Sequence, residues 1–199
     1  MSTFTELVTD VMKLTKRPDL VEETKLAVRQ ATLKAHHSDY YYKDILEISF
    51  RFNTPSSLQS LDYRALVPRY RSLKYLRRFD ASYPDAIPFR FLKILDPNEA
   101  LDQYSYVQSE VAYVAGSYIQ LRGSSDLDGM IMGCYIHPDT TEVSYNSWIA
   151  LDHPYAIVYE AALTVFKTIG YDEQAAMYER LVAQQLVELK MSNIQAEGY

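Results

Sequence analysis

The sequence predicts an α+β chain in which helices from both ends form a bundle and a β-rich insertion, sandwich- or barrel-like, lies between them. Three observations predict it. Apolar residues recur at helical spacing before Asp39 and again after residue 149, while between these segments the period drops to two. The 199 residues are 48% hydrophobic, enough for a packed core. The reading places the helical bundle domain at 1–39 and 150–199, the β-rich insertion at 40–149, and a polar C-terminal tail at 192–199.

Thr3 and Glu6 have capping-box spacing, and Leu7, Val8, Val11, Met12 and Leu14 follow as the apolar face of a first helix. Pro18 ends it, because the residue before a proline avoids helical dihedrals. Asp19 and Glu22 mark a second start. Leu20, Thr24, Ala27, Val28, Ala31 and Ala35 then line a narrow face that permits close helix–helix approach.

Leu46, Ile48, Phe50 and Phe52 alternate with Glu47, Ser49 and Arg51, as a half-buried strand requires. Residues 53–57 read as a loop. From Leu66 to Phe79 bulky and basic residues alternate, and Pro68 points to an edge strand. Residues 84–97 read as a loop with a short apolar run, then one helical turn over 97–102. Val111–Val114 and Tyr118–Leu121 flank Ala115-Gly116-Ser117 as a hairpin. Ser124–Gly129 reads as another turn, and Met130, Met132, Cys134 and Ile136 share one face of a further strand.

Asp152 and Pro154 then open a helix with Tyr155, Val158, Ala162, Val165, Phe166 and Ile169 as its stripe. Gly170 stops it. Asp172 caps a last helix, with Ala175, Ala176, Tyr178, Leu181, Val182, Leu186 and Leu189 as its apolar side. Beyond Ser192 no periodicity is visible.

A net charge of −6 and a pI near 5.2 argue against broad binding to nucleic-acid backbones. One cysteine, Cys134, excludes an intrachain disulfide framework and fits a reducing compartment. There is no secretory pattern at Met1–Glu6, and no apolar run nears the roughly 20 residues that span a bilayer. The expectation is a protein made and folded in a cytoplasm. Tyrosine occurs 18 times against one tryptophan. Its apolar body and polar tip suit both half-buried strands and surfaces covered on assembly.

No catalytic, cofactor or metal set emerges. His36 and His37 near Asp39 diverge by about 100° on a helix, so they do not share an ion easily, and a helix-end role beside the dipole is the simpler reading. Cys134 reads as a small buried hydrophobe. Gly123 to Gly129 has no phosphate-loop spacing, and Asp126 with Asp128 lacks the rest of a calcium loop. The basic run from Arg64 to Arg78 is the most distinctive charge feature. It is either a solvated edge strand guarded by its charges or a contact face for an acidic partner or DNA.

In order along the chain, Leu14–Leu20, Ala31–Asp39, Pro68–Arg71, Tyr75–Arg77, Tyr113–Ser117, Ser147–Ile149, Tyr155–Ala162, Ile169–Glu173 and Ser192–Ile194 with Glu197–Tyr199 resemble the head–tail adaptor proteins of tailed bacteriophages. The motifs are short and structural, and their order carries the likeness. The resemblance implies a virion protein of the neck. It would form a ring beneath the portal protein, commonly of twelve copies, that seats tail, nozzle or fibre proteins and lets double-stranded DNA pass through its lumen without specific binding. It implies no enzyme, no cofactor and no membrane partner. Interface candidates are Arg69, Arg71, Lys74 and Arg77 on the basic run, and Asn193, Ile194 and Tyr199 in the C-terminal segment, placed against the portal by chain position. Other tail or neck subunits, and a virion-carried cell-wall hydrolase, are the competing readings.

Overall fold

The structure is a computed structural model and describes residues 3–79, 90–100 and 108–196. In chain order the elements are α1 (Phe4–Thr15), α2 (Val21–His37), a 3-10 turn (Tyr42–Asp44), β1 (Ile45–Asp62), α3 (Tyr63–Leu66), β2 (Tyr70–Phe79), β3 (Arg90–Phe91), β4 (Lys93–Ile94), α4 (Pro97–Ala100), β5 (Val111–Ala115), β6 (Tyr118–Ile136), α5 (Trp148–Asp152), α6 (Pro154–Thr168) and α7 (Asp172–Ala196). This is the expected α+β order with helices at both ends and a β-rich middle. Two compact units result, 1–44 with 137–199 and 45–136.

In the helical unit, Thr3 accepts the Glu6 amide and Glu6 reaches back to the Thr3 amide at 2.6 Å, completing the capping box. Asp19 does not cap α2. Arg17 holds its carboxylate at 2.7 and 2.8 Å, and Leu20 takes the cap position without a side-chain bond. The core joins Leu7, Val11, Val28, Ala31, Ile157, Ala161 and Phe166, drawn from α1, α2 and α6, with Val182 and Leu189 from α7. Truncating any one of the large aliphatics to alanine costs about 2–5 kcal/mol. Gly170 supplies the left-handed stop after α6 at φ +76°.

This unit takes in more chain than the sequence reading gave it. Tyr41 and Asp44 are buried in it, as are Ser147 and Ile149. Apolar packing, not the change of period, sets the boundary. The expected tail beyond Ser192 is also corrected. Helix α7 continues to Ala196, because Leu189 and Asn193 extend its buried face and no glycine or proline interrupts it.

The β unit is built on one six-stranded sheet, which is the expected β-rich middle. Strand β6 is its axis: β1 runs antiparallel along one side, while β2 and β5 share the other. Strands β3 and β4 add to β2 and β5. Gly116, at φ +63°, makes the expected β5–β6 turn.

The expected loop at 53–57 and turn at 124–129 are corrected. Both lie inside the long strands β1 and β6 as paired irregularities. Arg51 faces Gly129 and Leu58 faces Arg122, so the register after the two bulges equals the register before them. Side chains facing the core are Ile119 and Leu121 before the bulge and Met130, Met132 and Cys134 after it.

Candidate functional site

The outer face of the sheet gathers the basic candidates. Two register irregularities in β2, after Tyr70 and after Leu73, send Tyr70, Leu73 and Leu76 to the core. Gly133 lies between the buried Met132 and Cys134, so its own side-chain direction is outward. A Cβ there would overlap the Tyr75 ring. Tyr75 is therefore on the outer face and crosses β6 above the glycine. Its hydroxyl donates to the Glu47 carboxylate on β1, and that bond raises the Tyr75 pKa.

Arg77 continues this row. Its guanidinium lies 4.7 Å from the Tyr75 ring centre and 4.5 Å from that of Phe91, its cross-strand partner. Its Nε–H is buried and has no acceptor among the described residues. Lys74 places its ammonium 5.5 Å from the centre of the Tyr135 ring. Arg69 precedes the strand and is exposed. Beside it a groove of about 300 Å³ is lined by Tyr63, Arg64, Pro68, Tyr70 and Arg71. The structure thus brings Arg71, Lys74 and Arg77 onto one strand with aromatic neighbours.

Arg78 has a different task. It bonds Glu110, Ser125 and the Asp126 carbonyl at 2.8–3.0 Å and so fixes the β6 bulge. Burial would raise the Glu110 pKa, but bonds from Ser124 and the Arg78 charge overcome it and hold the group below its ordinary value.

The C-terminal candidates divide. Asn193 is buried and its Oδ1 accepts the Tyr42 amide at 3.4 Å, so it holds the helical unit together. Ile194 is exposed. Tyr199 lies outside the described residues. Cys134 is fully buried, and burial pushes its thiol up to about 11. Among the described residues no three His, Cys, Asp or Glu side chains are placed to hold a metal ion.

Sequence reasoning missed one network in the helical unit. His36, in the last turn of α2, is a buried ring. Its Nδ1 meets Asp44 Oδ1 at 2.8 Å and its Nε2 meets Ser147 Oγ at 2.9 Å. Trp148 Nε1–H donates to the same Asp44 oxygen at 2.7 Å and packs edge-on to the imidazole. Ser147 Oγ also accepts the Ala150 amide, capping α5. The signal was present in the spacing, since His36 falls in phase with the buried Val28 and Thr32. His37 instead faces His137, with Nε2 and Nδ1 3.0 Å apart.

No protein-family model matches the chain, and no curated protein matches it in sequence.

Proposed function

We propose that the chain is a structural assembly subunit. More particularly, we propose a head–tail adaptor that forms a ring beneath the portal of a tailed bacteriophage and joins capsid to tail. The observation that carries this reading is the outer face of the sheet. Lys74, Tyr75, Arg77 and Phe91 set cations against aromatic rings there, with Arg71 on the same strand, the composition that interfaces enriched in Arg and aromatic residues show. The ordered resemblance along the chain supplies the particular identity. The net charge of −6 agrees with a conduit that repels passing phosphate rather than binding it.

Electron microscopy of purified portal rings mixed with saturating protein tests the proposal. The expected result is an added ring of density beneath the portal. Portals that keep their bare outline reject it, and density elsewhere in the particle favours another tail or neck subunit.

One observation favours a second reading. Ser147, His36 and Asp44 have the connectivity of an activated serine, beside a groove of about 290 Å³ lined in part by Phe4, Tyr145, Ser147 and Leu151. Against it, Ser147 is 4% exposed and its oxygen is engaged as a helix cap. A fluorophosphonate probe decides between a hydrolase and a structural network. The structural reading expects no label on native protein, and labelling lost in Ser147→Ala and His36→Ala would establish the hydrolase.

A further inference from the structure

Resting on the assembly reading, we infer that the cationic aromatic face of the sheet docks on the acidic end of the helical unit of a second copy.

The first ground is the distribution of charge. Residues 63–79 hold six Lys and Arg and no Asp or Glu. The β unit as a whole holds ten of each sign, so the helical unit carries the entire net charge of −6. One chain therefore presents both complements.

The second ground is what remains uncommitted on each side. Seven of the ten Lys and Arg side chains of the helical unit are in internal ion pairs. Glu23 in the first turn of α2, and Asp172 and Glu173 in the first turn of α7, have no ion pair among the described residues. Arg17, just before α2, bonds Asp19 and lies within electrostatic reach of Tyr171, just before α7, so the two helix starts share one end of the unit. On the sheet, Arg78 is committed to Glu110, whereas Arg77 makes no ion pair among the described residues. A planar carboxylate is the acceptor that a guanidinium held between two rings takes best.

Duplex DNA is the weaker occupant. Phosphate binding draws on many Lys and Arg contacts over a long track, whereas this face is short and belongs to an acidic chain. A contact between two different patches of the same chain is heterologous, so it closes into a ring or runs on as a filament.

Zero-length carbodiimide cross-linking of a 1:1 mixture of ¹⁴N- and ¹⁵N-labelled protein at low salt tests this. The expected product joins Lys74 to Glu23, Asp172 or Glu173 in mixed-isotope pairs. Its yield should fall several-fold when salt is raised until the Debye length is about 3–4 Å. Arg69→Glu with Arg71→Glu, which leaves Lys74 in place, should abolish the mixed product while the thermal melt shows the fold retained. Neighbours in a ring meet at millimolar effective concentration, so the absence of mixed product up to about 1 mM protein overturns the inference. Binding of a labelled DNA duplex that is lost in the same variant, with no mixed product, overturns it in favour of nucleic acid. Added portal density in the absence of mixed product rejects this contact and leaves the adaptor reading standing.

Discussion

Replacing His36 by alanine should lower the stability of the helical unit by about 3–5 kcal/mol, a large part of what a domain of this size has. The ring is 2% exposed and stands between Asp44 and Ser147. Without it, among the described residues Asp44 Oδ1 keeps only the Trp148 donor, while Oδ2 already lies buried without a partner. Ser147 keeps its cap but loses its second partner, and a void the size of an imidazole opens beside Trp148. A urea titration followed by Trp148 fluorescence measures the loss. Adding Asp44→Asn to His36→Ala should recover part of it, because the unpaired acid is then removed. A loss below about 1 kcal/mol for His36→Ala would mean that the network does not hold the unit.

Gly133→Ala should cost about 1–3 kcal/mol and disorder the outer face of the sheet. The new methyl group would occupy the space of the Tyr75 ring, and that ring cannot simply swing aside. Its hydroxyl is bonded to Glu47 and its face is covered by Arg77. Displacing it breaks both contacts and takes one wall from Arg77. The raised Tyr75 pKa should then fall towards the ordinary phenol value, visible as an earlier step in an ultraviolet tyrosine titration. In a Tyr75→Ala background the same substitution should be nearly neutral, and this failure of additivity is the sharper check. Equal costs in both backgrounds would show that the glycine serves the backbone rather than the ring.

Local pattern made much of the fold legible. Most of the stripes of α1, α2, α6 and α7, the Gly116 turn and the core side of β6 follow from spacing alone, while Leu14, Tyr155 and Ala176, which spacing put on the stripes, are exposed. Other features are set by distant residues. Asn53, Thr54 and Pro55, and Gly123 to Asp126, do mark breaks in regular pairing. Whether a break reverses the chain or becomes a bulge depends on the opposite strand, and here two bulges cancel. Polarity beyond Ser192 hid a helix because only Leu189 and Asn193 continue its inward face. At the candidate site the cations were visible in sequence, but the aromatic cover was not. Tyr75 reaches Glu47 only because β6 places Gly133 between them, and a one-strand reading contains no such information.

The register of the sheet has a further consequence for how the chain folds. Ile45 pairs with Tyr135, one residue short of the end at Ile136, so the two ends of the β unit lie side by side. Left unfolded, this stretch of about 90 residues is a loop whose closure costs on the order of 4 kcal/mol before α2 can meet α6. Once folded, the sheet is its own closed loop and delivers both flanks within one strand spacing of each other. It is also continuous in sequence and emerges from the ribosome before α6 and α7. This topology favours an order in which the sheet forms first and the two halves of the helical unit join afterwards.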